Sequence, residues 1–303
     1  MSISNTNELA RQGTPLVSIG LPTRNRAHLL PIALESLLNQ TYRNIEYIVS
    51  DNASSDNTEH VCRKFVARDP RIQYIRQKTN IGGNPNHEFV LRESRGKYFM
   101  WASDDDSWDS RFVETLVDAL EQNPDYGVAM SHYYQKYING IDNKQTIETH
   151  YFNNCSHQDL FRFYLRGKKS SIFFFGLYRT DFLKRILKRH FRVTAHGPHL
   201  FLREVALSTR MYSVEKILHT RLQDRRSRLE RHPDHPHTLA EYSPLAVTHQ
   251  LFVTLTWLLS SPVIPLSRKH LIFKPWLRRV WIKKKKIILE LCRFVWYKFR
   301  NIF

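Results

Sequence analysis

Residues 98–106 read YFMWASDDD, an aromatic and apolar run that ends in three adjacent carboxylates. The apolar run predicts a buried strand. Carboxylates this close together raise each other's pKa unless a cation offsets their charge, so the cluster favours a divalent metal site. Two other interpretations stay open. An acidic turn between a strand and a helix also occurs simply exposed to water, or as a cap of the helix that follows.

The same sequence pattern, a strand followed by a polar turn and a helix, precedes this stretch three times. The predicted strands cover residues 16–21, 45–50 and 72–75, and apolar residues at helical spacing follow each of them. Four strands that alternate with helices over roughly 110 residues predict an α/β fold. Its sheet is expected to be mostly parallel, with helices on both faces.

Polar residues follow the predicted strands at their carboxyl ends. Asn25, Asp51, Asn80 and Asp105 each come just after a strand. Parallel strands end at the same edge of a sheet, and the ligands of such sheets bind beyond that edge. We therefore expect these side chains from distant parts of the chain to converge on one crevice.

Several stretches of the first 125 residues resemble family 2 glycosyltransferases and occur in the family's order. They are residues 17–26 (VSIGLPTRNR), 38–42 (LNQTY), 44–56 (NIEYIVSDNASSD), 80–82 (NIG), 96–99 (GKYF) and 104–106 (DDD) with Trp108. The resemblance implies a GT-A fold, with a nucleotide-sugar-binding half over residues 15–125 and an acceptor-binding half over residues 126–230. It also implies transfer of a sugar from a nucleotide-diphosphate donor to a glycan or lipid-linked acceptor in cell-surface polysaccharide synthesis, with inversion at the sugar.

The resemblance implies a metal ion, Mn²⁺ or Mg²⁺, at the acidic cluster. Asp104 and Asp106, or Asp105 and Asp106, match the DxD position of the family. We expect Asp106 to bind the metal with Asp104 in support, and Asp105 to reach the nucleotide ribose. A hard cation takes oxygen ligands and offsets the charge that grows on a diphosphate leaving group.

The resemblance also places the nucleotide. Asp51 lies where the family contacts the base, and a carboxylate accepts a hydrogen from uracil, thymine or guanine but not from N3 of cytosine. UDP, dTDP and GDP sugars are therefore the expected donors. Pro22, Thr23 and Arg26 correspond to the turn that contacts the nucleotide. Asn86 is a further candidate in the same crevice, or a cap at the start of its helix.

The acceptor half departs from the family pattern. Inverting members supply a carboxylate as general base near the start of a helix, but residues 194–204 read TAHGPHLFLRE, without an acid at that position. His199, or His196, stands closest, and a histidine acts as a base at neutral pH or simply lies at the surface. Glu204 is the alternative, one turn later. The gap keeps open a second hypothesis, a non-catalytic GT-A module that binds nucleotide sugar or glycan at the membrane face.

Residues 219–226, HTRLQDRR, stand where the family often has an arginine-bearing loop over the diphosphate. Arg221 or Arg225 is expected to donate hydrogen bonds to phosphate oxygens, since the guanidinium is always charged and offers two donors at once. Solvated loop charges are the alternative interpretation.

The chain carries a formal net charge of +18, and much of it lies near the C-terminus, where residues 268–303 hold 12 Lys or Arg and one acid, Glu290. A basic helix with aromatic residues on one face is typical of binding to an anionic membrane surface, although a helix packed on its own domain remains the alternative. No nucleic-acid-binding module accompanies the charge, so nucleic acid is not an expected partner. The apolar face comprises Trp281, Ile288, Leu291, Val295, Trp296, Phe299 and Ile302.

Three features of the sequence predict where the protein is located. Residues 1–14 are polar, which predicts a disordered lead-in without a secretory signal. The uncharged part of residues 242–267 is interrupted by prolines before it reaches the ~20 residues of a membrane span. With three scattered cysteines typical of a reducing compartment, these features predict a cytoplasmic protein at the inner face of the membrane. Its C-terminal region, residues 231–303, is expected to be helical and to end in the basic amphipathic tail.

Overall fold

The computed structural model describes residues 13–138, 144–165, 172–187, 197–224 and 246–300. The chain divides into two compact units. The first, here called the sheet unit, comprises residues 1–153, 172–192 and 211–226, and the second, the helical unit, comprises residues 154–171, 193–210 and 227–303. Most of the expected lead-in (residues 1–12) and two candidate residues, His196 and Arg225, lie outside the described residues.

The first four strands confirm the predicted alternation of strand and helix. The elements are β1 (Val17–Thr23), α1 (Leu30–Leu38), β2 (Ile45–Asp51), α2 (Thr58–Arg68), β3 (Ile72–Arg76), α3 (Gly83–Arg92) and β4 (Tyr98–Trp101). The strands are parallel and lie in the order β3-β2-β1-β4. Every residue of β2 and all but Pro22 of β1 are buried, which explains why these strands read as continuous apolar runs.

The rest of the chain extends this sheet with antiparallel strands. The elements are β5 (Ser107–Trp108), α4 (Phe112–Gln122), β6 (Tyr126–Ile138), β7 (Gln145–Glu148), α5 (His157–Leu165), β8 (Leu177–Arg179), α6 (Thr180–Leu187), α7 (Gly197–Ser208), β9 (Arg210–Asp224), α8 (Ala246–Leu259), α9 (Leu266–Lys269) and α10 (Phe273–Arg300). The full strand order is β3-β2-β1-β4-β8-β6-β9-β5, and β7 pairs with β6. Strand β8 is antiparallel to β4 and to β6, and β5 is antiparallel to β9. The α/β class is confirmed, in a mixed sheet whose first four strands are parallel.

One glycine sets how closely a helix approaches the centre of the sheet. A Cβ atom added to Gly20 on β1 would lie 2.6 Å from Cγ2 of Val90 on α3 and 2.8 Å from the Phe99 ring on β4. Real Cβ contacts are longer than this, so only glycine allows α3 to lie against β1 at this distance.

The end of β4 is held firmly where the acidic turn begins. The Trp101 ring is fully buried and stacks on Phe174, with ring centroids 4.6 Å apart. Its Nε1 donates to the carbonyl of His87 over 2.9 Å, and the Ala102 amide donates to the carbonyl of Gly20 over 2.8 Å. The aspartates that follow therefore start from a fixed point in the core.

The helical unit has a core of its own, and α5, α7 and α8 contribute to it. Among the described residues, no helix combines the length and the apolar character that are needed to cross a bilayer. The buried residues of this core are Phe161, Leu165, Leu207, Leu258, Ile264 and Ile272.

Candidate functional site

The turn that follows β1 is fastened to the loop that follows β2. The Asn25 amide donates to Ser54 Oγ over 2.9 Å, and the Ser55 amide donates to Asn25 Oδ1 over 2.8 Å. The Asn52 amide donates to the carbonyl of Thr23, also over 2.9 Å. These bonds satisfy backbone groups that the strand ends leave without partners.

Both turns contain a residue in the left-handed region. Asn25 and Ala53 each have φ of 54°. Asparagine tolerates this conformation, whereas alanine has about 1 kcal/mol or more of strain there. Outliers of this kind are held in place by their surroundings and cluster at ligand sites, so they draw attention to this edge of the sheet.

The loop after β3 joins the same edge through Asn52. The Asn52 Nδ2 group donates to Asn80 Oδ1 over 2.8 Å, and its Oδ1 accepts the Ile81 amide over 2.8 Å. The structure thus brings together the loops that carry Asn25, Asp51 and Asn80, the arrangement expected from parallel strand ends.

Asp51 organises the loop after β2 from a fully buried position. Its Oδ1 accepts the Ser54 amide over 2.9 Å, and its Oδ2 accepts the Tyr74 hydroxyl over 2.9 Å. Burial and the bond to Asp51 raise the pKa of Tyr74 well above its usual range. Arg76 approaches the same carboxylate at 3.8 Å. The side chain expected to contact the base therefore has partners on both oxygens and no exposed surface.

Asn86 and Pro22 lie close to this edge but differ in what they contact. Asn86 is buried, accepts the Ser50 hydroxyl over 2.6 Å and donates to the Ser50 carbonyl over 2.9 Å. Both halves of its amide therefore fasten α3 to β2. Pro22 is half-buried on β1, opposite Ser50 of β2.

Asp104 is bonded to the turn after β1. The Thr23 hydroxyl donates to its Oδ2 over 2.8 Å, and Arg26 Nε lies 3.5 Å from its Oδ1. Burial and the neighbouring charge of Asp105 raise the pKa of Asp104 to about 7, against the opposing effects of Arg26 and Thr23. Three residues that the sequence assigned to the donor site, Thr23, Arg26 and Asp104, are therefore in direct contact.

Asp105 makes fewer bonds than its neighbours. It is half-buried, and its Oδ1 accepts the Ser103 hydroxyl. Its Oδ2 accepts no hydrogen bond from the residues that the structure describes. Burial and the charge of Asp106 raise the pKa of Asp105, while the positive charges of Arg26 and Arg221 oppose that rise.

Asp106 is buried, and the chain itself engages both of its oxygens. Its Oδ2 accepts a hydrogen bond from His219 Nε2 over 2.9 Å, and its Oδ1 accepts the Leu222 amide over 2.9 Å. The sequence analysis expected Asp106 to bind the metal, and that expectation stays a prediction.

The acidic cluster fits a divalent cation through Asp104 and Asp105. Two half-buried carboxylates with raised pKa values repel each other, and a cation between them relieves that repulsion. Within the described ranges no three His, Cys, Asp or Glu side chains gather as a metal-binding group. Magnesium is commonly held by one or two carboxylates together with substrate phosphates, so the pair suffices for that chemistry.

The two candidates for the acceptor-side base lie in the helical unit. Glu204 on α7 is buried, and it accepts hydrogen bonds from Trp257 Nε1 over 2.9 Å and from the Ser261 hydroxyl. These bonds join α7 to α8 and to the loop after it. His199 is half-buried in the first turn of α7.

Arg221 is half-buried on β9 in the sheet unit. Burial raises the pKa of Tyr133 to about 12, and the positive charge of Arg221 opposes that rise. The reasoning from sequence missed His219, the partner of Asp106. A signal was present, because residues two apart in a strand face the same side, and His219 stands two before Arg221.

Comparison with known proteins supports the α/β fold described above. Residues 18–187 match the family model described as glycosyl transferase family 2. The chain is similar to the glycosyltransferase GlyG of Streptococcus pneumoniae, with 29% identity over 119 residues that cover 39% of each protein. It is also similar to the GalNAc(5)-diNAcBac-PP-undecaprenol beta-1,3-glucosyltransferase of Campylobacter jejuni, with 36% identity over 109 residues that cover 36% of this chain and 35% of that one. The matches therefore span about two fifths of the length of these relatives.

Solved structures show the same fold. The S. aureus protein TarS 1-349, in complex with UDP-GlcNAc, superposes with a TM-score of 0.66 and 16% identity, over 92% of this chain and 80% of that chain. At this identity the likeness concerns the fold alone. Because the family match covers more than half of the 303 residues, the chain belongs to glycosyl transferase family 2.

Proposed function

We propose that this protein is a glycosyltransferase that moves a sugar from a nucleotide-diphosphate donor to a glycan or lipid-linked acceptor in cell-surface polysaccharide synthesis. The observation that carries the proposal is the contact of Asp104 with Thr23 and Arg26 at the carboxyl edge of the sheet. Ligands of α/β sheets bind at that edge, and membership of the family supports the reaction class.

We propose that Asp104 and Asp105 hold Mn²⁺ or Mg²⁺ together with the donor. The metal, when bound, neutralises charge on the diphosphate as it leaves. We propose that Arg26 and Arg221, whose positive charges lower the pKa of Asp105, donate hydrogen bonds to phosphate oxygens. Asp106 is left out of this set because it is only 2% exposed, whereas Asp104 and Asp105 are both half-buried.

The proposed donors are UDP, dTDP or GDP sugars. Contact of Asp51 with the base requires Ser54 or Tyr74, which are bonded to its oxygens, to move aside, because the side chain has no exposed surface. A base with an N–H at its pairing edge suits a carboxylate, whereas cytosine presents an acceptor there. CDP therefore serves as the negative member of a binding panel.

For the acceptor side we propose His199 as the general base of an inverting transfer. A histidine is able to take the acceptor proton near neutral pH. Glu204 suits this function less well, since it is 1% exposed and bonded to Trp257 and Ser261.

The donor site is tested by thermal shift with UDP, dTDP, GDP and CDP, with and without Mn²⁺. We expect the wild type to be stabilised by one of the first three nucleotides, more strongly with the metal. Asp105→Asn should lose most of the metal-dependent part of the shift, because one of the two proposed metal ligands loses its charge. Asp118→Asn, an exposed carboxylate on α4, is the matched control and should behave as the wild type. An Asp105→Asn variant with the full metal response would contradict the proposed site.

The bonds of Glu204 to Trp257 and Ser261 favour a second candidate function, the binding of nucleotide sugar or glycan by a non-catalytic module. They leave the chain without an evident acidic base on α7. Donor hydrolysis or transfer that is lost in His199→Ala identifies the enzyme. Nucleotide binding without any turnover identifies the module.

We further propose that α10 lies on an anionic membrane surface and thereby places the protein at the inner face of the membrane. The run Lys283–Lys286 adjoins the exposed apolar side chains, and Lys284 Nζ lies 4.6 Å from the centre of the Trp281 ring. This combination of bulky apolar groups and clustered lysines suits the boundary between headgroups and acyl chains. Among residues 273–292 of α10, the apolar side chains that are at least 45% exposed are Phe273, Leu277, Trp281, Ile282, Ile288, Leu289 and Leu291.

Co-sedimentation with vesicles tests the membrane proposal. The full chain should bind phosphatidylglycerol vesicles and not pure phosphatidylcholine. Replacing Lys283, Lys284, Lys285 and Lys286 by Gln should weaken binding by about 100-fold or more, at about 1 kcal/mol per lysine. Phe252→Ala, which removes an exposed apolar group from α8, is the matched control and should change little. Binding that is unaffected by the four substitutions and by salt would refute the proposal.

A further inference from the structure

We propose that Asp106 and His219 are positioning residues, which fix Arg221 beside the acidic cluster so that it meets the diphosphate of the donor. The inference rests on the proposed function and goes beyond it, because it assigns to the third aspartate a function other than binding metal. The three adjacent aspartates then have three different sets of partners, and we assign them two functions, metal binding and the positioning of Arg221.

The bonds of Asp106 bracket Arg221 along β9. One oxygen holds the side chain of His219, two residues before the arginine, and the other holds the amide of Leu222, the residue after it. Both distances are 2.9 Å, within the normal range of a strong hydrogen bond to a carboxylate. The residues on either side of Arg221 are therefore tied to a single buried carboxyl group.

The segments around these bonds are paired as strands. Trp108 lies opposite His219 in the antiparallel pairing of β5 with β9. The Asp109 amide donates to the carbonyl of Leu218 over 2.8 Å. The bond from the Leu222 amide to Asp106 thus continues the contact between the two strands by one residue beyond the Ser107–Thr220 pair.

The ring of His219 has little freedom to move. It stacks on Trp108 at a centroid distance of 5.4 Å, and Tyr133 and Phe112 lie 6.0 and 6.2 Å away. Its side chain has no exposed surface. With Nε2 bonded to Asp106, Nδ1 finds no partner among the described residues. A phenylalanine would keep the stacking on Trp108 but would leave the buried Asp106 without its side-chain partner, so the histidine at this position serves Asp106.

The backbone of Arg221 has a further bond. Gln135 Nε2 donates to its carbonyl over 3.3 Å. Together with the bond of the Leu222 amide to Asp106, this bond fixes the strand from which the Arg221 side chain extends, and the positive charge of Arg221 lowers the pKa of Asp105. A guanidinium that extends from a fixed backbone loses less freedom when it meets phosphate oxygens.

The test is a double-mutant cycle on nucleotide binding, measured by calorimetry in the presence of Mn²⁺. The probe is whichever of UDP, dTDP and GDP binds the wild type most tightly. Arg221→Ala should weaken binding by about 10- to 100-fold, the usual effect of losing hydrogen bonds to a charged group. Asp106→Asn should weaken it several-fold, and the double variant should bind no more weakly than Arg221→Ala alone. Mn²⁺ affinity without nucleotide should stay within about two-fold of the wild type in Asp106→Asn, and should fall in Asp105→Asn.

Two results would overturn the inference while leaving the proposed function intact. One is an additive cycle, in which the effects of Asp106→Asn and Arg221→Ala multiply. The other is a loss of Mn²⁺ affinity in Asp106→Asn that equals the loss in Asp105→Asn. A wild type that binds none of the three nucleotides would instead overturn the proposed function, and this inference with it.

A second substitution guards against simple misfolding. His219→Phe keeps the ring stacked on Trp108 but cannot donate to Asp106, so it should reproduce the nucleotide-binding loss of Asp106→Asn without altering Mn²⁺ affinity. Asp118→Asn is again the matched control. Thermal unfolding of each variant in the absence of ligand confirms that the compared proteins are folded, and a folded His219→Phe with wild-type nucleotide affinity would also overturn the inference.

Discussion

At Gly20 a single hydrogen atom determines how closely α3 lies against the sheet. We expect Gly20→Ala to lower the free energy of unfolding by about 1–3 kcal/mol, the usual effect of overpacking a core, because the new methyl group would meet Val90 and Phe99 at 2.6 to 2.8 Å. Chemical denaturation measures the change. Adding Val90→Ala to Gly20→Ala should recover part of it.

Gly83 provides the matched control for that experiment. It is the first residue of α3, and an added Cβ atom would meet nothing within 4 Å. Gly83→Ala should therefore be neutral or slightly stabilising. If both glycine variants unfold at the wild-type denaturant concentration, the close approach at Gly20 is not a constraint.

The three aspartates show where reasoning from residues alone stops. In the sequence they are equivalent neighbours at the end of one strand, and a metal site is a prediction that follows from their charge and position alone. The different contacts of the three carboxylates could not be predicted, because they depend on the groups that lie near each one. Asp104 faces Thr23, which is 81 residues away, and Asp106 faces His219, which is 113 residues away. Nothing local to residues 104–106 records those partners.

Among the helices, the bond pattern of Glu204 predicts a structural function. Glu204→Ala should lower the free energy of unfolding by about 2–4 kcal/mol, since it leaves the Trp257 Nε1–H and the Ser261 hydroxyl without their acceptor and opens a cavity. Denaturation monitored by tryptophan fluorescence measures this loss. Glu204→Gln, which preserves size, should retain sugar transfer within a few-fold.

The opposite outcome for Glu204 is well defined. A Glu204→Gln variant with wild-type stability and turnover reduced by more than about 100-fold would identify Glu204 as the general base. His199→Ala, measured in the same assay, shows whether the proposed base carries that effect instead.

At the scale of strands, the first half of the sheet was predictable and the second was not. Strands β1, β2 and β4 are short, apolar and buried on both faces, so each one is recognisable by itself. Strand β6 carries His132 and Gln135 in buried positions, which breaks the apolar pattern. These polar groups are satisfied by distant backbone carbonyls, those of His150 and Arg221, so their burial follows from pairings that a local pattern does not reveal.

Over the whole molecule, the excess of positive charge and the apolar face of α10 were both readable from the sequence, since they depend only on composition and helical spacing. The sequence did not show which apolar side chains of α10 remain exposed to solvent. Trp281 and Ile282 are adjacent and both more than 60% exposed, although neighbouring residues of a helix do not share one narrow stripe. The uncovered surface is therefore broader than the single face that the sequence indicated.

The loops beyond β1, β2 and β3 share their partners, with Asn25 joined to Ser55, Asn52 joined to Asn80, and the carbonyl of Thr23 bonded to the Asn52 amide. None of the three is able to open without breaking a bond to another. The three loops therefore form one connected rim, which is ordered when the sheet folds and before any ligand binds. Fixing the backbone of a residue costs roughly 1–2 kcal/mol in entropy, and here that cost falls on folding rather than on binding. Because the loops are already ordered, a ligand that binds at this edge orders little backbone, which favours tighter binding.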